Sequence, residues 1–130
     1  MEVSSDERYE TAFRAAINFG SSALAVIAGS LEDANAERIV QFALKNRLAT
    51  IFPRVVFVLS GGLMSYGADR NEAMRRVALT VDKILKGTKP ADIPVEQPRK
   101  FELVINLKTA KQIGLPIPKI VLARADRVIK

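Results

Sequence analysis

With 130 residues, 48% of them apolar and 26% charged, the chain has material for one globular domain and too little for two comfortable ones. Having no cysteine and no histidine, it contains no disulfide, thiol nucleophile, usual zinc ligand set or imidazole base. The net charge of +6 lies entirely at the end: residues 1–98 balance, while Arg99, Lys100, Lys108, Lys111, Lys119, Arg124, Arg127 and Lys130 face only Glu102 and Asp126.

Ser4 and Glu7 have capping-box spacing, and Tyr9, Phe13, Ala16 and Ile17 recur at helical intervals, so a first helix is expected over residues 5–19, closed by Gly20. The apolar run Ala23–Ala28 reads as a short strand buried on both faces. After the loop at Gly29, Ser30 and Asp33, a second helix carries Ile39, Val40, Ala43 and Leu44 on one stripe. Ala49–Phe52 follows as a strand before Pro53. Helix, strand, helix, strand with brief connections is the rhythm of a parallel α/β sheet.

Val55–Leu59 is β-branched and apolar and reads as another strand, broken by Gly61 and Gly62, with Leu63–Tyr66 extended after it. Asp69 and Glu72 start a long helix over residues 70–86, with Met74, Val77, Val81 and Leu85 among its apolar stripe and Gly87 at its end. Residues 88–100 hold three prolines and predict an extended strap. Phe101–Ile105 reads as a strand, Asn106 as the cap of a short helix ending at Gly114, and Pro118 as the start of a last helix with Val121, Ala125 and Val128 inward.

Open parallel sheets bind ligands at the carboxyl ends of their strands. That selects Ser30, Ser65, Tyr66 and Asp69 as candidate ligand contacts. Tyr66 offers an apolar ring with a polar tip, or packs as a hinge residue; Asp69 offers an anion for an ammonium group, or simply caps its helix. Gly61 and Gly62 serve backbone geometry and form no phosphate loop, the Gly-x-x-x-x-Gly-Lys pattern being absent. No acid-rich loop of calcium spacing occurs, so neither metal nor cofactor is expected, and no group of side chains suggests an enzyme. The basic end suits a polyanion or an anionic surface, or is a solvated face. No aromatic residues interleave with its charges, so DNA is not expected.

Three stretches, GGLMSYG (61–67), RRVALTVDKILKGTKPADIPVEQPRKFELVINLKTAKQIGLPIP (75–118) and LARAD (122–126), closely resemble the C-terminal part of the substrate-binding proteins of ABC transporters. That family has the type I periplasmic-binding fold, and the similar branch includes tryptophan- and tyrosine-transport candidates. The resemblance implies a truncated three-layer α/β lobe over residues 1–130, most of the first lobe being absent. It implies an amino-acid-like solute bound without chemistry, a permease partner, and a periplasmic or extracytoplasmic site of action. The acidic opening Met1–Glu7 is no export signal, so the chain as written is expected in the cytoplasm. In such folds the helix over 69–87 crosses a hinge, here at Gly61, Gly62 and Gly67, and packs on the first lobe. Without that lobe its stripe would fold back, stay exposed or meet a second copy, which makes a homo-oligomer the expectation. Two departures, Gly29-Ser30 in place of a Pro-Asp type loop and the wholly apolar Val55–Leu59 in place of a short polar helix, fall on cleft-facing loops. An oligomerising domain without solute binding is the alternative, and a basic polyanion-binding module a third.

Overall fold

The structure, a computed structural model, describes residues 8–27, 29 and 34–130. The expected capping box at Ser4–Glu7 and the loop residue Ser30 lie outside them. The order is α1 (Arg8–Asn18), β1 (Ala23–Ala25), α2 (Ala36–Lys45), β2 (Ala49–Phe52), α3 (Val55–Leu59), β3 (Met64–Ala68), α4 (Arg70–Leu85), β4 (Phe101–Asn106), α5 (Leu107–Ile113), α6 (Lys119–Leu122) and β5 (Arg127–Ile129). The strands form one sheet in the order β1-β2-β3-β4-β5.

An aromatic and aliphatic layer joins the helices to one face of this sheet. Tyr9 and Phe13 of α1 and Ile39 and Val40 of α2 form one buried cluster with Phe52 of β2 and Phe57 of α3. The Phe52 and Phe57 rings stack at 4.6 Å, and Phe13 stacks on Phe42 at 3.9 Å. Each such side chain removed from water stabilises the fold by roughly 1.5–3 kcal/mol. Alternation along the strands sends Ile51, Tyr66 and Phe101 to the opposite face, where they are 41, 54 and 46% exposed.

Three expectations are corrected. Val55–Leu59 is not a strand but the helix α3. β2 and β3 are adjacent and parallel, so the chain between them must cross over a sheet face, and a helical turn does so while seating Phe57 and Val58 in the core. Topology here outweighs β propensity. The first strand is shorter than expected and exposed at Ala23 and Ala25; among the described residues it pairs with β2 alone, and Leu24 is the residue of it that leans on the core. The last helix is a single turn: Asp126 accepts from the Leu103 N–H at 2.8 Å and donates its own N–H to the Leu103 carbonyl at 2.9 Å, which turns Arg127–Ile129 onto β4 as β5.

The sheet is mostly parallel, as the α/β rhythm predicts, with one reversed pair. β1, β2 and β3 run parallel, but β4 runs antiparallel to β3, with β5 parallel to β4. The reason lies in α4 and the strap that follows it. They leave β3 and return to the same end, where the Asp69 N–H donates to the Lys100 carbonyl at 3.0 Å. A chain that comes back to its point of departure can only pair in reverse.

Buried polar groups fix the α3–β3 connection. Thr50 Oγ1 accepts from the Leu63 N–H, Thr109 Oγ1 donates to the Gly61 carbonyl at 2.7 Å, and Asn106 Nδ2 donates to the Val58 carbonyl. Asn106 also caps α5, its Oδ1 accepting from the Thr109 N–H at 3.1 Å, and Gly114 ends that helix in the left-handed region at φ 76°.

Candidate functional site

The carboxyl ends of β1, β2 and β3 lie at one end of the sheet, and there β3 delivers Tyr66 and Asp69. Tyr66 is more than half exposed and stacks on Phe101 of β4, with ring centroids 5.5 Å apart and planes 21° apart. The pair is a flat aromatic shelf on the side away from the helical core. Antiparallel register sets it: Tyr66 lies opposite Leu103 and Ala68 opposite Phe101, so the two rings are diagonal neighbours on one face.

Just beyond the paired segment of β3 and β4, where β3 passes into α4, stands an ion pair. Asp69 caps α4, accepting from the Asn71 N–H at 2.9 Å and the Glu72 N–H at 3.3 Å. Its second oxygen meets Lys100 Nζ at 2.8 Å. The Lys100 hydrogen bond, helped by the backbone N–H groups, holds the Asp69 carboxyl below its ordinary value of 3.8. Asp69 in turn holds the Lys100 ammonium above its ordinary 10.5. Both charges therefore persist across the neutral range, and an anion and a cation sit side by side in the lining of the groove along α4.

Glycine explains how the chain gets there. A Cβ at Gly67 would stand 2.0 Å from the Pro53 carbonyl oxygen, so β3 passes the end of β2 closer than any side chain permits. A Cβ at Gly62 would lie 2.6 Å from the Phe52 ring and 2.8 Å from the Phe57 carbonyl. Gly61, with φ 104°, makes the turn out of α3. These are the three glycines expected at a hinge: two lie in the α3–β3 connection and Gly67 lies inside β3.

Ser65 alternates with Tyr66 and is buried on the opposite face, so the structure does not bring it to the shelf. Lys100 and Phe101 were not singled out from sequence. Alternation along Phe101–Ile105 gives the strand, but only the reversed pairing with β3 sets these two residues against Asp69 and Tyr66.

The strap lies along α4 and is tied to it. Arg76 bonds Glu72 at 3.2 Å and also pairs with Glu96 of the strap. Between helix and strap runs an open groove of about 440 Å³, lined among others by Asp69, Arg76, Val77, Thr80, Ile93 and Pro98. No residue of α4 is buried, and its stripe of Met74, Val77, Val81 and Leu85 faces solvent, Leu85 being 82% exposed. Among the described residues no helix is long and apolar enough to cross a membrane.

No curated protein matches the sequence. Among solved structures, a Streptococcus pneumoniae ABC domain in complex with L-Trp is similar at 26% identity and a TM-score of 0.86, over 98% of this chain and 44% of that one. A conserved domain protein of Vibrio cholerae is similar at 25% identity and a TM-score of 0.84, over 94% of this chain and 41% of that one. A ligand-free, open substrate-binding protein with adhesive properties from Clostridium difficile shares the fold at 17% identity and a TM-score of 0.68, over 98% of this chain and 42% of that one. The chain thus spans less than half the length of each of these relatives. The ABC transporter substrate binding protein family matches residues 5–129. With nearly every residue inside that match, the chain belongs to the ABC transporter substrate-binding protein family.

Proposed function

We propose that the chain is a lobe of the solute-binding component of an ABC importer and holds a small amino-acid-like solute without changing it chemically. The observation that carries this reading is the exposed Tyr66–Phe101 shelf, with the Asp69–Lys100 pair following at the same end of β3 and β4. An amino acid with a flat apolar side chain has the complementary layout: a ring to stack, a carboxylate for Lys100 and an ammonium group for Asp69. The L-Trp held by the Streptococcus pneumoniae relative supports an aromatic amino acid as the first solute to try. Ser30, which follows β1 in sequence, remains a candidate contact, and Ser65 supports the strand that presents Tyr66. In this reading the protein works outside the cytoplasmic membrane against a permease, and Gly61, Gly62 and Gly67 lie at the hinge.

Thermal unfolding against amino acids, small carboxylates, purines and sugars tests it. Ligand that binds only the folded state at about 100 times its Kd adds about 2.7 kcal/mol, a rise of several degrees in Tm. Tryptophan, tyrosine or phenylalanine is expected to raise Tm, and Tyr66→Ala to abolish the rise while leaving the ligand-free transition cooperative. A sharp transition that none of these solutes moves sinks the proposal.

The uncovered stripe of α4 favours a second reading, in which the chain self-associates through Met74, Val77, Val81 and Leu85. Sedimentation velocity is then expected to give a dimer that Val77→Glu with Val81→Glu reduces to monomer. A stable wild-type monomer removes this reading.

A further inference from the structure

The cationic end of the chain, which solute binding does not use, folds into one structural unit. β4, α5, α6 and β5 make a single crossover between adjacent parallel strands at the sheet edge. Neighbouring strands are about 5 Å apart, so the connection joining them lies along one flank of the molecule.

The connection and the strand it reaches carry Lys108, Lys111, Lys119, Arg124, Arg127 and Lys130, all exposed. Within α5, Thr109 and Ala110 are the buried residues, which turns Lys108 and Lys111 to the outer surface. Among the described residues none of the six cations has an ion-pair partner. The one acid of residues 107–130, Asp126, spends its carboxylate on the Leu103 N–H. Set among the cations are aliphatic side chains left in water: Ile120 of α6, 68% exposed, and Leu115 just before it.

We propose that this flank docks on an anionic phospholipid surface, with the six cations over the headgroups and Ile120 at the acyl boundary. Long, flexible cationic side chains around an exposed aliphatic residue match an interface that is charged outside and greasy beneath. Nucleic acid fits less well, since residues 107–130 contain no aromatic side chain on which a base would stack. The proposal does not depend on the solute reading, because none of these residues belongs to the shelf.

Co-sedimentation of the purified chain with vesicles tests it. The probes are phosphatidylcholine alone and phosphatidylcholine with about one third phosphatidylglycerol, at low and at roughly 0.5 M salt. Binding to the mixed vesicles is expected to be at least about tenfold tighter than to the neutral ones, and to be lost at high salt. Lys108→Glu with Lys111→Glu should lower affinity for mixed vesicles by roughly 25-fold or more, at roughly fivefold per lysine removed. Arg75→Glu with Lys83→Glu, the same change in net charge made on α4, should lower it far less. Ile120→Ser should weaken binding with the charge unchanged. If the first pair misfolds by circular dichroism, Lys119→Glu with Arg124→Glu carries the same comparison. Equal losses from the α5 and α4 pairs would mean net charge alone is at work and overturn the proposal. Failure to distinguish the two vesicle types, or tighter binding to single-stranded DNA than to mixed vesicles, would overturn it as well.

Discussion

The sheet with its helical layer and the arm made of α4 and the strap obey different physics. In the first, Phe52, Phe57, Leu63, Val104 and Ile105 are all but sealed from water; in the second, a helix of 16 residues buries none. The body is held by burial and by polar groups satisfied in its interior. The arm is held by its own local chemistry: the Asp69 cap, the Glu72–Arg76–Glu96 chain, the Lys86–Asp82 pair and the Asp69–Lys100 tie at its base. Exposed ion pairs contribute little each, so a helix stabilised this way is marginal in isolation. The lesson is that one continuous chain can carry a core held by burial and an appendage held by local polar contacts.

That contrast can be broken most forcefully from the body side. Phe57→Ala empties a site with no exposure, removes the ring stacked on Phe52, and is expected to cost about 3–5 kcal/mol in urea unfolding. Gly67→Ala forces a methyl group onto the Pro53 carbonyl and should cost about 1–3 kcal/mol while disturbing the aromatic shelf, read as loss of the Tm rise that the proposed function expects. On the arm side, Val81→Ala should leave the free energy of urea unfolding of the body within about 0.5 kcal/mol of wild type. Native-state hydrogen exchange would sharpen the comparison, with α4 amides exchanging well before those of β3 and β4. Equal protection in both would show that the arm is not separable.

The smallest expected effect is electrostatic. The Asp69 carboxyl is lowered in the folded state, so its contribution is present above its ordinary value and lost as pH falls through the depressed one, below 3.8. The Lys100 ammonium is raised, so its contribution holds below 10.5 and disappears as pH climbs past its elevated value. Protection at the base of α4 should therefore stay flat from about pH 5 to 9 and fall only outside that window. A titration step near neutrality would contradict the pairing.

Much of the fold was legible in the sequence because local chemistry decides it. The Asp69 and Asn106 caps, the Gly114 stop and the span of α4 follow from residues within one turn of each boundary. What stayed hidden depends on partners distant in the chain. Val55–Leu59 is β-rich by composition and helical because β2 and β3 are neighbours in the sheet. Arg127–Ile129 is a strand because Asp126 locks to Leu103. In the candidate site, Tyr66 and Asp69 could be selected from the strand-end rule, whereas Phe101 and Lys100 required the reversed direction of β4.

That reversed strand has one more consequence. Topologically β3 and β4 are a hairpin, and α4 with its strap is the loop between them, entering at Asp69 and leaving at Lys100 beside each other. Loop closure grows only slowly more costly with length, so the sheet is nearly indifferent to what is threaded through that gate. The gate thus acts as a splice point in the architecture, where a cassette can be lengthened, shortened or exchanged between proteins while the pairing of β3 with β4 stays the same.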